Sequence, residues 1–272
     1  MNAQNEREKP IRLIVSDLDG TLLGPDGLLP QHIHILEEIE RLRECGIGFT
    51  IISGRPRPFL QEISNTLGIT LPIVACNGGI VMQRGQILVQ ESYPLRAVRK
   101  LMEKARALHA TVLYYHDDMA WALEETPWIV KQKGTVREFT LHIPEESEWE
   151  HGLLEKISIL YKDQRHVFQE IKPYLDELDT QLSIVRYGEN SCEIMAKGVD
   201  KSMGLLAISK LTGIPIGQIM AIGDDENDIG MLRLAGIGVA VANASPRSKS
   251  AATYLCGATH TEGVIEAMHL IC

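Results

Sequence analysis

The chain has 272 residues, 44% of them hydrophobic and 23% charged, which fits an ordinary globular protein and excludes a disordered one. With 27 Lys and Arg against 36 Asp and Glu, its formal charge of −9 argues against nonspecific binding to nucleic acid or to acidic membranes. An anionic ligand must therefore be drawn in by local cations, and the length admits one large domain or two smaller ones.

In chain order, Met1 to Pro10 is polar and lacks the apolar stretch of a signal peptide. Ile11 to Ser16 is a β-branched run predicted as a buried strand ending at Asp17. Gly24, Pro25, Asp26 and Gly27 predict a turn. Ile35, Leu36, Ile39 and Leu42 give helical spacing across Gln31 to Glu44, with Gly46 suited to the C-terminal cap. Ile47 to Ile52 is a second strand, Pro56 to Leu67 a helix, and Leu71 to Ala75 a third strand leading into Asn77-Gly78-Gly79. Strands alternating with helices at these lengths imply parallel βαβ units.

After Ile80 the rhythm changes. A hairpin is predicted over Gly79 to Glu91, with Arg84-Gly85 near its tip, then a helix carrying Val98, Leu101, Met102, Ala105 and Leu108 on one face. Thr111 to Tyr115 and Met119 to Leu123 read as strands turning at Asp117-Asp118. Helical pieces are expected near Trp128 and over Leu153 to Tyr161, and strands over Gln181 to Tyr187 and Cys192 to Met195. This antiparallel pattern predicts an α+β insertion over residues 84–195, between core segments 1–83 and 196–272. The parallel rhythm then returns with a helix from Lys201, a strand over Gln218 to Ile222, a helix over Glu226 to Leu234, a strand over Ile237 to Val241, and helices from Ser245 and over Val264 to Leu270. No run approaches the roughly 18 apolar residues of a membrane helix. Cys45, Cys76, Cys192, Cys256 and Cys272, an odd number without C-x-x-C spacing, read as free thiols in a reducing compartment, so a cytoplasmic protein is expected. Oligomeric state leaves no signal.

Four segments carry chemistry. Asp17-Leu18-Asp19-Gly20-Thr21 follows a buried strand, and two carboxylates there repel unless a cation or a shared proton intervenes. A hard divalent ion, Mg2+ beside phosphate, is the economical answer, against the plainer reading of Asp19-Gly20 as a turn. Gly223-Asp224-Asp225-Glu226-Asn227-Asp228 crowds four acids into five positions where a strand meets a helix. A helix cap accounts for one or two of them, and ligand binding at a strand's carboxyl end for the density. Ser53-Gly54-Arg55, again just past a strand, offers a hydroxyl and backbone N–H groups to a phosphoryl oxygen, or simply a cap. Lys201 at a helix start opposes the dipole and would be relieved by an anion, with Lys197 as the competing cation.

In this order and strand context the segments resemble the haloacid dehalogenase superfamily, through DLDGT at Asp17–Thr21, SGR at Ser53–Arg55, KGVDK at Lys197–Lys201 and GDDEND at Gly223–Asp228. The insertion and Asn77-Gly78-Gly79 resemble the type IIB cap of Cof-type phosphatases and the turn before it. The resemblance covers essentially the whole core. It implies an α/β fold with a Rossmann-like parallel-sheet core and an inserted α+β cap that closes over it and selects the substrate. It further implies a Mg2+-dependent phosphohydrolase of small phosphorylated metabolites, such as sugar phosphates or phosphorylated cofactors. Asp17 would be the nucleophile and Asp19 the acid and base. Mg2+ would be held by Asp17, the Asp19 carbonyl and Asp224, supported by Asp228. Ser53, Gly54, Lys201 and Asn227 would bind phosphate, with Arg55 and Asn77 in support. Ser53 stands where relatives often carry Thr, and Met195-Ala196 precedes Lys197 where Pro is common. Both departures leave the chemistry intact. A phosphomutase or phosphotransferase, and a catalytically silent binding module, are the alternatives. No code for a particular substrate is legible, and His116, Asp117, Asp118, Trp121 and Arg186 are the insertion's candidate contacts, Arg186 being the one favoured for the substrate, against the plainer reading of a surface ion pair.

Overall fold

The computed structural model describes residues 10–25, 27–29, 33–117, 119–132, 140–162 and 164–272. The chain divides into two compact units, one of residues 1–89 with 200–272 and one of residues 90–199. The first is built on a five-stranded parallel sheet in the order Tyr254–Leu255, Ile237–Ala240, Ile219–Gly223, Leu13–Ser16, Gly48–Ile51. Alternation along each strand sends neighbours to opposite faces, which is why these strands read as continuous apolar runs. Ile14, Met220 and Ile222 pack with Ile35, Ile39 and Leu42 of helix Ile33–Glu44 and with Val264, Ala267 and Met268 of helix His260–Met268. Leu13, Val15, Ile219 and Ala221 pack on the other side with Leu205 and Ile208 of helix Lys201–Thr212 and Met231 and Leu232 of helix Ile229–Leu234. Covering both faces is the doubly wound arrangement expected of an α/β chain.

Beside this sheet, Ile52 bridges in parallel to Val74, and strands Ile73–Ala75, Ile80–Gln83 and Gln86–Gln90 form a small sheet of their own. The hairpin turn at Arg84 and Gly85 takes positive φ at both residues, 50° and 81°. Because the hairpin pairs with Ile73–Ala75, it stays in the first unit. The unit boundaries therefore fall after Val89 and Val199, later than the expected 84–195. The expected turn at Asp26, the start of the first helix at Gln31 and the turn residue Asp118 lie outside the described residues.

The second unit is a six-stranded sheet in the order Leu182–Tyr187, Ser191–Ala196, Lys156–Leu160, Thr111–His116, Met119–Ala122, Thr140–Leu141. All neighbours are antiparallel except the last pair, which is parallel. Helices Arg99–Ala107 and Arg165–Leu178 pack together, with Arg99–Ala107 also against strand Thr111–His116. The expectation of a helix over Leu153 to Tyr161 is overturned. The segment forms strands Leu153–Leu154 and Lys156–Leu160, with Ile157 and Ile159 fully buried two residues apart. Its run of Leu and Ile satisfies a helical and a strand spacing alike, and pairing with Thr111–His116 and Ser191–Ala196 decides between them.

The cysteine expectation also needs correction. Cys76, Cys192 and Cys256 are buried thiols, but Cys45 and Cys272 form a disulfide with their Cα atoms 6.5 Å apart. Helices Ile33–Glu44 and His260–Met268 pack together, which brings positions 227 residues apart to one place, an approach that spacing along the chain conceals. Cysteine usage therefore gives no argument for a reducing compartment. No helix among the described residues is long and apolar enough to cross a membrane.

Candidate active site

The carboxyl ends of adjacent parallel strands carry the acidic groups. Asp17 follows strand Leu13–Ser16 and is held by its N–H donating to the Ile222 carbonyl at 2.9 Å. Asp224 follows strand Ile219–Gly223, the immediate neighbour. After Asp17 the chain makes a single wide turn, Leu18–Leu22, in which Gly20 adopts φ 81°. A Cβ at Gly20 would collide with the Asp224 carboxylate, so glycine is what lets the two loops meet. Thr21 Oγ1 donates to Asp224 Oδ1 at 2.7 Å, and Asn243 Nδ2 donates to the Gly20 carbonyl at 2.7 Å.

Lys201 is the hub. Its ammonium donates to Asp17 Oδ1 and to Asp228 Oδ1, each at 2.7 Å, and all three side chains are almost wholly buried. Asp228 is fixed in turn by accepting the N–H groups of Asp224 and Asp225 at 2.9 Å each, while Asp225 caps the short turn Glu226–Asp228. The acidic loop thus closes a helix start and presents a carboxylate to Lys201 at once. Lys197 does not share this role: its ammonium donates to the Asp179 carbonyl within the second unit. Arg186 pairs with Asp179 at 2.8 Å, a surface ion pair.

The remaining predicted residues surround this hub with different partners. Asn227 Nδ2 donates to Asn77 Oδ1 at 3.0 Å, and Asn77 is fully buried at φ 55°. Ser53 is buried, accepts the Arg55 N–H at 3.1 Å through its hydroxyl, and accepts the Asn77 N–H through its carbonyl. Ser53 and Gly54 stand at the carboxyl end of strand Gly48–Ile51, beside Leu13–Ser16. Arg55 grips the half-exposed Asp19 carboxylate with two nitrogens, Nε at 2.6 Å from Oδ2, and stacks over the Phe59 ring at 3.7 Å. Asp19 therefore points to Arg55 rather than to Lys201. Thr21 and Asn243 were not singled out from sequence. Thr21 had a signal in its place within the first motif, whereas Asn243 had none.

Asp17, Asp224 and Asp228 each offer an oxygen within 4.8 Å of the others. Burial and the neighbouring Asp228 push the Asp17 carboxyl well above its ordinary range, against the pull of Lys201. Burial and Asp228 likewise push Asp224 up to about 6, against the Thr21 hydrogen bond. For Lys201, burial opposes the charge, and Asp17 and Asp228 outweigh it, so the ammonium holds its proton more tightly than usual. With all three carboxylates ionised, the one ammonium would leave two negative charges unopposed. A hard dication with oxygen ligands fits both the charge and the donor set.

A doubly wound parallel core with a buried carboxylate–ammonium centre at its strand ends defines an α/β enzyme. The chain belongs to the family of haloacid dehalogenase-like hydrolases, whose profile it matches over residues 14–268. It is 27% identical over 261 residues to the 5-amino-6-(5-phospho-D-ribitylamino)uracil phosphatase YitU of Bacillus subtilis (strain 168), covering 93% of this chain and 94% of that one. To the phosphoglycolate phosphatase of Methanopyrus kandleri it is 27% identical over 254 residues, covering 93% of each. A crystal structure of a haloacid dehalogenase-like hydrolase from Bacteroides thetaiotaomicron superposes with a TM-score of 0.81 at 26% identity, over 96% of this chain and 100% of that one. The subclass IIB sugar phosphatase BT4131 shares the fold with a TM-score of 0.79 at 21% identity, over 95% and 98%.

Proposed function

We propose that this chain is a phosphohydrolase that cleaves phosphate monoesters of small metabolites through an aspartyl-phosphate on Asp17. The observation that carries this reading is the Lys201 ammonium, fixed 2.7 Å from both Asp17 and Asp228 inside a three-carboxylate cluster. Such a centre neutralises charge where an anionic phosphoryl group must approach a carboxylate. An Asp17 oxygen attacks phosphorus, the ester P–O bond breaks, and the departing alcohol oxygen takes a proton from Asp19. Water then attacks the phosphorus, its proton passing to Asp19, and the bond to Asp17 breaks to release phosphate.

Asp17, Asp224 and the Asp19 main-chain carbonyl, backed by Asp228, would hold Mg2+, which supplies positive charge to the phosphoryl oxygens when bound. Lys201 and the Ser53 hydroxyl, with the Gly54 N–H and Asn227, bind the phosphoryl group in this reading. Arg55 orients Asp19, and Asn77 orients Asn227. The unit of residues 90–199 is assigned the substrate-selecting role, and phosphorylated sugars or phosphorylated cofactor precursors are the substrate class that the relatives' names support.

The test is hydrolysis of a panel of phosphorylated metabolites by the pure protein with Mg2+. Asp17→Asn should abolish turnover while the fold persists, and excess EDTA should silence the enzyme until Mg2+ is restored. Full activity in EDTA, or wild-type turnover by the variant, would overturn the reading. Adding alcohol acceptors separates hydrolysis from phosphoryl transfer by the products formed.

A further inference from the structure

The turn that carries Asp19 is held on two flanks. Between Leu18 and Leu22 the chain makes its one wide turn, and Gly20, at φ 81° and ψ −10°, has no Cβ to restrict it. Arg55 anchors the Asp19 side chain. The main chain just beyond is anchored by Asn243, whose Nδ2 donates to the Gly20 carbonyl at 2.7 Å. The far end of the turn is fixed separately, Thr261 Oγ1 donating to the Leu22 carbonyl at 2.7 Å. Asn243 therefore governs the Gly20 end.

Asn243 is itself set on firm ground. It follows strand Ile237–Ala240, which lies next to Ile219–Gly223, the strand that ends before Asp224. Its neighbours are tied down: the Ala242 N–H donates to the Ala258 carbonyl at 2.9 Å, and the Ala242 carbonyl accepts Lys249 Nζ at 2.7 Å. The Ser245 N–H donates to the Asp224 carbonyl at 2.8 Å, so the same loop also meets the acidic one. Both partners fix the orientation of the Asn243 amide. The Gly20 carbonyl can only accept, and the His260 N–H, 3.0 Å from Asn243 Oδ1, can only donate. His260 opens helix His260–Met268 at φ 51°, a conformation that a non-glycine residue keeps where its surroundings hold it. An aspartate at position 243 would keep the His260 bond but set a carboxylate oxygen against the Gly20 carbonyl oxygen. Only an amide satisfies both sides.

We propose that Asn243 is a positioning residue for Asp19. Its hydrogen bond fixes the Gly20 peptide, and with it the direction in which the Asp19 side chain leaves the turn to serve the departing oxygen. The proposal rests on the reading of Asp19 as the acid and base, and Asn243 acts through Gly20 rather than on the substrate.

The test compares kcat/KM for two leaving groups, since kcat/KM reports the passage from free enzyme to the aspartyl-phosphate. The sugar phosphate that the wild type hydrolyses fastest needs a proton on its departing oxygen, whereas 4-nitrophenyl phosphate does not. Asn243→Asp should lower kcat/KM for the sugar phosphate roughly fivefold more than for the aryl ester, with a melting temperature near that of the wild type. Asn243→Ala, which adds no charge, should show the same selective loss. Asp19→Asn is the reference and should show the selectivity most strongly. If Asp19→Asn loses both substrates equally, the reading of Asp19 fails and this proposal with it. If Asp19→Asn is selective while both Asn243 variants lose the two substrates equally, or lose neither, Asn243 has no positioning role and the reading of Asp19 stands.

Discussion

Lys201 is the single buried cation facing Asp17 and Asp228 in the bonds described above, and its removal leaves those acids to repel each other. Lys201→Met should therefore cut kcat by a factor on the order of 100 to 1000, as expected when a charge aimed at the transition state is lost. A variant with kcat near wild type would place the phosphoryl-binding cation elsewhere. Arg55 acts on the reaction only through Asp19. Arg55→Ala should lower kcat more for alkyl phosphates, whose leaving oxygen needs a proton, than for an aryl phosphate, whose leaving group does not. Equal losses on both substrates would deny Arg55 that role. Asp224 allows a prediction in pH. Its folded value of about 6 lies above the ordinary 3.8, so the metal-free fold binds this proton more tightly than the unfolded chain does. That stabilisation is complete below the ordinary value and is lost as pH rises through about 6. Mg2+ needs the ionised acid, so its increment to the melting temperature should grow across the same interval, and less so in Asp224→Asn. A Mg2+ increment that is flat with pH in the wild type would contradict the carboxylate site.

At the scale of elements, the core strands were legible because each is an apolar run ending in a chemistry-bearing residue: Ser16 before Asp17, Ile51 before Ser53, Gly223 before Asp224. The second unit was less so. Leu153 to Tyr161 reads either way until its sheet partners are known, and helix Arg165–Leu178, which runs unbroken through Pro173, carries a residue that argues against a helix in the sequence. In the same way the four motifs marked out the acids, while the contacts that hold them, Thr21 to Asp224 and Asn243 to Gly20, join residues 203 and 223 positions apart and leave no local trace. The segment Cys76, Asn77, Gly78 shows how tightly one such element is set, with positive φ at all three residues. A Cβ at Gly78 would collide with the Asp200 carbonyl at the cap of the Lys201 helix. Gly78→Ala should therefore destabilise the first unit by about 2 kcal/mol or more and lower activity with it. Denaturant unfolding measures the first effect, and an unshifted midpoint would show that the neighbouring helix yields without cost.

Across the whole molecule, the disulfide joins the end of the first helix to the last residue, closing nearly the entire chain into one loop. Under non-reducing denaturing conditions a thiol reagent should count three reactive cysteines rather than five, and reduction should lower the melting temperature. Five thiols in the untreated protein would restore the reading of free cysteines made from their spacing. The net charge of −9 sets the wider field against an anionic substrate, which makes the local centre the place where binding must be won. The most direct test of that centre is to quench the enzyme during turnover of a phosphate ester with Mg2+, reduce with borohydride, and map the product by mass spectrometry. Conversion of Asp17 to homoserine is the predicted result, since borohydride reduces an acyl phosphate where it stands. Turnover that leaves Asp17 unmodified, or reduction at another carboxylate, would contradict it.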